Sequence, residues 1–313
     1  MLLSELFAIK PIIANVTCRK GLLQYKPYTI EYKFPLHDCF CGIEIEVENI
    51  EDGFGVPVEV WASKQDNSLR NRGVEFISLP VAGNDLVQSL ELFFRYLPPT
   101  AIFSQRTSIH VHVNALDLDV AAIKRFVLLY LLFEKMLYRF VGKDRDRNIF
   151  CVPIQDSYRV SKMLNDLETS LSIGGRVEHE QNRYAGLNLA CLHTFGTFEF
   201  RQLGGTRDIT KILSWINMLL SFKKWAIEYD SNTLINEVHD LNTTSDYHSF
   251  LYKIFGPVSN AFDLTHASKD IERGVYAVKY SQLEGRFMNE LVVHRSNNSK
   301  GMQMLAGVEV CVE

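Results

Sequence analysis

The stretch CGIEIEVEN, residues 41–49, alternates without a break, with Ile43, Ile45 and Val47 on one parity and Glu44, Glu46 and Glu48 on the other. Successive side chains of a strand point to opposite faces, so the pattern predicts a β-strand with one apolar and one acidic face. Glutamates two positions apart on a strand sit about 7 Å from one another. Carboxylates so close repel unless water or cations lie between them. A solvated outer face and a cation site both satisfy the pattern, and this strand alone does not choose between them.

Three further segments repeat the theme. SIHVHVN puts His110 and His112 on one face with Ile109, Val111 and Val113 opposite, and TFEFR puts Glu199 and Arg201 opposite Phe198 and Phe200. DNSLRNRGVEF offers Asp66 in a polar loop and Glu75 on the next strand, expected over 74–79. Another strand is expected over 56–62, and RYAGLNLA (183–190) reads as the hairpin partner of GTFEFRQL (196–203). Helical periodicity marks 84–97, ending at Pro98-Pro99, then about 118–141 with Asp117 or Asp119 as N-cap, 158–172, and 208–229 starting near Asp208. Strands come in clusters separated by long helices, which favours an α+β architecture with a largely antiparallel sheet flanked by helices. Residues 1–40 read as an extension packed on the core, 41–229 as the core itself, and 230–313 as a C-terminal helical extension of it.

Solvated sheet faces usually mix Thr, Lys, Ser and Gln. Here the alternating positions carry carboxylate, imidazole and guanidinium groups. On a shared face they would bring together at least four carboxylates and two histidines, a cluster that divalent cations make tolerable. Oxygen-rich ligands with one imidazole suit Mg²⁺ or Mn²⁺. Arg201 narrows the chemistry further, because a guanidinium beside metal-binding acids suits a metal-bound phosphate, which it can clamp bidentately. Arg183, Arg106 and Arg207 lie near the same strands. The sequence holds no GxxxxGK[ST] loop, no GxGxxG after a strand, no HExxH and no GxSxG.

The segments GIEIEVEN, DNSLRNRGVEFISLP, SIHVHVN, NRYAGLNL and TFEFRQLGGTRD, in that order, resemble the amidoligase family, relatives of glutamine synthetase and glutamate–cysteine ligase. The resemblance spans roughly residues 41–228. It implies a glutamine-synthetase-like fold and an ATP-dependent ligase in which a carboxylate is phosphorylated and an amine attacks the acyl phosphate. Matched residue by residue, Glu44 and Glu46, Glu75, His110 and Glu199 correspond to metal ligands. Arg201, Arg183 and Asp66 take catalytic positions, and His110, His112, Arg201 and Asn188 face nucleotide or substrate. Either histidine of the HxH strand fits the metal role. Asn67 stands where the family carries glycine, a change that a left-handed turn tolerates. ATP and Mg²⁺ (or Mn²⁺) are thus the expected cofactors, and a carboxylate and an amine the expected substrates. The same fold also admits phosphotransfer without ligation. A zinc hydrolase built on His110 and His112 would leave Glu44, Glu46 and Arg201 without roles.

Other classes recede on composition. A net charge of −4 over 313 residues argues against a generic nucleic-acid binder. FVLLYLLFEKMLYRF (126–140) is broken by Glu134 and Lys135 and too short to span a bilayer. The opening MLLSELFAIKPIIANVTCRKG lacks the basic start and cleavage site of a signal peptide. Six scattered cysteines (18, 39, 41, 151, 191 and 311) read as reduced thiols, and a cytoplasmic protein is expected. Segments 142–157 and 173–182 are candidate lids over the site, and Glu48, near its strand's end, is expected to face solvent.

Overall fold

The computed structural model describes residues 37–51, 60–142, 144–156, 184–230, 236–238 and 240–281, with Leu2, Leu3, Tyr32 and Thr233. The helix expected over 158–172, the lid over 173–182, Arg183, and most of 1–40 and of the C-terminal tail lie outside that set.

Six strands form one antiparallel sheet: β1 (Cys41–Val47), β2 (Trp61–Gln65), β3 (Val74–Ser78), β4 (Ser108–Asn114), β5 (Leu187–Asn188) and β6 (Thr197–Gly204), in the order β2-β3-β1-β4-β6-β5. Helices flank it: α1 (Gly83–Tyr96), α2 (Val120–Val141), the short α3 (Cys191–Thr194), α4 (Ile209–Glu228), α5 (Thr244–Phe255) and α6 (Ala267–Ser281). The α+β architecture with an antiparallel sheet is therefore observed. Asp119, not Asp117, caps α2 by accepting from Ala122 N at 2.7 Å, and Asp208 caps α4 by accepting from Lys211 N at 3.0 Å. Asp117 instead accepts from Lys223 Nζ, at 2.7 and 2.8 Å, and from Asn114 Nδ2 at 3.1 Å.

Alternation decides the two faces of the sheet. Ile43, Ile45, Ile109, Val111, Val113, Phe198 and Phe200 are all fully buried on the face that α2 and α4 cover. Phe126 of α2 stacks on Phe198 at 3.8 Å and meets Phe222 of α4 edge-on, while Trp215 of α4 meets Phe200. At the other end Phe93 of α1 packs on Trp61 and Phe76. The C-terminal helices join this same core. Phe250 and Phe255 of α5 pack on Phe133, and a Cβ at Gly274 of α6 would stand 2.1 Å from Leu132 O, so only glycine lets α6 lie this close to α2.

Two strands differ from expectation. β2 occupies Trp61–Gln65, largely inside the segment expected as polar loop, whereas most of 56–62 lies outside the described residues. As an edge strand with four exposed residues, it has no apolar alternation to betray it. The strand expected over 183–190 is the two-residue β5, linked to β6 by α3.

Residues 144–156, half of the lid expectation, are tied to α2 and to residues 184–186. Glu134, fully buried in α2, accepts from Tyr130 Oη, Ile154 N and Gln155 N at 2.7, 2.7 and 2.9 Å. Tyr138 Oη donates to Cys151 O, and Val152 bridges to Tyr184 and Gly186. Among the described residues no helix is long and apolar enough to cross a membrane.

Burial pushes the Glu134 carboxyl up from 4.5 to about 6, against the bonds that Gln155, Tyr130 and Ile154 donate. The folded state thus holds this proton more tightly than the unfolded chain does, and the resulting stability is lost as pH rises from about 4.5 through about 6, on the order of 2 kcal/mol. Glu134→Gln removes that dependence but cannot accept from both peptide N–H groups through separate oxygens. We expect it to lower stability near neutral pH by about 1–3 kcal/mol and to flatten the wild-type slope over that window, measured by urea denaturation at a series of pH values.

Candidate functional site

The face opposite the phenylalanines carries the titratable groups, and register brings them together. Glu44 pairs with His110 across β1–β4, Glu46 with Glu75 across β1–β3, and His112 with Glu199 across β4–β6. Three central strands and β3 therefore present Glu44, Glu46, Glu75, His110, His112, Glu199 and Arg201 on one surface.

His110 sits among them with both ring nitrogens engaged. Nδ1 lies 3.1 Å from Glu44 Oε2 and 3.4 Å from Glu199 Oε1, and Nε2 lies 2.8 Å from Ser108 Oγ. Ser108 in turn donates from both N and Oγ to Glu46 Oε2, at 2.8 and 2.6 Å. His112 differs. Its Nδ1 is held by Thr197 Oγ1 at 2.9 Å, while its Nε2, buried and 3.2 Å from Glu44 Oε1, has no aligned hydrogen bond.

Glu199 gathers the most donors. Arg201 Nη1 donates to its Oε1, and Asn188 Nδ2 (2.5 Å) and Cys191 Sγ (3.2 Å) donate to its Oε2. Burial pushes this carboxyl up, but Arg201 and the two histidines outweigh it and hold the group below the ordinary carboxylate range. Glu44 is held low in the same way, by the two imidazoles against its own burial. His112 is pushed down by burial but, on balance, raised by Glu44 and Glu199. Glu75 lacks such compensation. Burial and the Glu44 charge push it up to about 7 despite Lys64, whose Nζ stands 2.9 Å away.

Glu44, His112 and Glu199 each offer one ligand atom, and these atoms lie within 4.8 Å of one another. The three donors, two carboxylates and one imidazole, fit a divalent cation. His110, expected among the ligands, is not one of this trio; its Nδ1 lies between Glu44 and Glu199 and its Nε2 on Ser108. Asp66 is not drawn in either: it accepts from Ser68 N at 2.8 Å and closes its own loop. Arg106 donates to Ser68 O and Arg207 to Pro98 O. Glu48 corrects the expectation of a solvent-facing residue. It is 3 % exposed, and its Oε1 accepts from Arg70 N at 2.8 Å, pinning the 66–73 loop to the end of β1.

With that geometry in place, a family model described as "Putative amidoligase enzyme" matches residues 58–223, more than half of the chain. The chain belongs to the amidoligase family. No curated protein matches it. The amidoligase match holds Glu75, both histidines, Asn188, Glu199 and Arg201 but begins after β1, so Glu44 and Glu46 enter the site through strand pairing. Ser108 and Thr197 went unremarked in the sequence, although the same alternation puts them on the face of His110 and Glu199. Cys191 and Arg145 carried no local signal.

Removing Glu199 would strand the half-buried Arg201 guanidinium and two other donors. Glu199→Ala is expected to cost about 3–5 kcal/mol, and Asn188→Ala about 1–2 kcal/mol, by chemical denaturation. Equal costs for the two would mean that Arg201 finds another acceptor.

Proposed function

We propose that this amidoligase is an ATP-dependent carboxylate–amine ligase on a glutamine-synthetase-like sheet, acting with Mg²⁺ or Mn²⁺ through an acyl phosphate. The observation that carries the reading is the meeting of Glu44, His112 Nε2 and Glu199 beside Arg201. Family membership independently supports an amide-forming ligase.

Glu44, Glu199 and His112 would hold the cation, with Glu46 and Glu75 on the adjoining positions of the same face. When bound, a divalent cation supplies neutralisation of charge on the β- and γ-phosphates. Arg201 contributes from its side of the sheet. Nη1 is committed to Glu199 and Nε to Phe150 O at 3.3 Å, whereas Nη2 makes no hydrogen bond among the described residues and can take a phosphate oxygen. Thr197 fixes the His112 ring so that Nε2 faces the carboxylates. In the reaction, the substrate carboxylate oxygen attacks the γ-phosphorus as ADP leaves. The amine nitrogen then attacks the acyl carbon, phosphate departs and the nitrogen loses a proton. A hydrolytic zinc site on the HxH strand would leave Glu44, Glu46 and Arg201 without clear roles.

A non-hydrolysable ATP analogue with Mg²⁺ should raise the melting temperature, and Glu44→Gln or Glu199→Gln should abolish that increment over each variant's own baseline. His112→Ala and Thr197→Val should each weaken Mn²⁺ binding, the second by about tenfold. A shift with zinc alone and none with nucleotide would sink the ligase reading. ADP release that requires both an acid and an amine supports it, while ATP consumption giving a phosphorylated product and no amide selects the phosphotransferase.

A further inference from the structure

The β4–β6 ladder breaks at one place. Val111 pairs with Phe200 and Ile109 with Leu203, so β6 advances three residues while β4 advances two. Arg201 and Gln202 therefore share the space opposite His110, a β-bulge beside the cluster. A bulge of this kind frees main-chain groups that the ladder would otherwise bond, and buried ones must find partners.

Here one side chain supplies them. Arg145 Nε donates to Gln202 O at 2.7 Å and Arg145 Nη2 to Arg201 O at 2.9 Å. The competing donor on the β5 side, Gly186 N, is spent on Val152 O, while Arg201 N donates to Gly186 O. Arg145 is 7 % exposed, and no carboxylate pairs with it among the described residues. A buried guanidinium satisfied by carbonyls is a costly way to fill space. A planar fork spanning two successive carbonyls fixes their orientation as a lysine ammonium could not. The turn carrying Arg145 is itself fixed, since Arg145 O accepts from Asn148 N and Cys151 Sγ. Five residues on, Phe150 O accepts from Arg201 Nε at 3.3 Å. One segment thus grips both the main chain and the side chain of Arg201.

We propose that Arg145 is a positioning residue: by clamping the carbonyls of the β6 bulge it aims the Arg201 guanidinium at Glu199 and at the phosphate-bearing ligand. The ligand half of this statement rests on the proposed nucleotide chemistry, and the aiming half does not.

The test is a double-mutant cycle on the full chain with Arg145→Met, Arg145→Lys and Arg201→Ala, reading the Kd of the ATP analogue with Mg²⁺, the melting temperature and the Arg201 Nε–Hε NMR signal. Arg145→Met should weaken nucleotide binding by at least about tenfold, the size of effect that a small misplacement of a binding group produces. In the Arg201→Ala background the same change should alter Kd by less than about twofold while still lowering the melting temperature. Arg145→Lys should keep most of the melting temperature but recover little affinity. Additive losses in Kd, or full recovery by lysine, would overturn the proposal. Should wild type bind no nucleotide, the ligase reading fails and the NMR signal decides the aiming role: an Arg201 Nε–Hε resonance unchanged by Arg145→Met overturns it, and one shifted or broadened by exchange supports it.

Discussion

Burying Glu46, Glu75 and Glu199 on one sheet face, with Glu44 half-buried among them, is the constraint to which the rest of the site responds. An isolated buried carboxylate costs several kcal/mol, so each must meet a donor or a cation. Glu46 is met by Ser108, Glu44 by the two histidines, and Glu199 by Arg201, Asn188 and Cys191. Glu75, whose nearest cation is the largely exposed Lys64, is the least compensated, and its carboxyl is pushed up to about 7. The protein thus neutralises the β6 end of the cluster with its own residues and leaves the β3 end short of positive charge.

The opposite face makes this tolerable. Phe126, Phe198, Phe200, Phe222 and Trp215 form an apolar layer that holds β1, β4 and β6 in a fixed register. Because the side-chain period of a strand is two, any slip by one residue would turn phenylalanines toward the carboxylates and carboxylates into the core. The aromatic packing therefore sets not only stability but which acids meet which imidazole. Placing the cluster on the central strands of the sheet gives it the most rigid positions the fold offers.

Most of that was legible from alternation alone, because the period that puts Ile43 and Phe198 inward puts Glu44 and Glu199 together on the other face. The long helices were equally plain, since α2 and α4 carry wide apolar stripes with aspartate caps. What escaped has a common physical origin. β2 is an edge strand that buries too little to show a pattern. Glu48 obeys the alternation, but its burial depends on a loop twenty-two residues away that offers the Arg70 N–H. Arg145 lies in GKDRDRN, a run that reads as solvated charge, and its burial follows from a bulge that no local periodicity announces.

The two histidines show how far a one-dimensional pattern can go. SIHVHVN places both rings on the same face and cannot rank them. Their difference comes from what each faces across the ladder. His110 stands opposite the bulge, between Glu44 and Ser108, and spends both nitrogens inside the protein. His112 stands in regular register with Glu199, is anchored on one side by Thr197, and turns Nε2 toward Glu44 Oε1 at 3.2 Å. Two identical side chains, two residues apart, thus meet different partners: His110 meets Glu44, Ser108 and Glu199, and His112 meets Thr197 and Glu44.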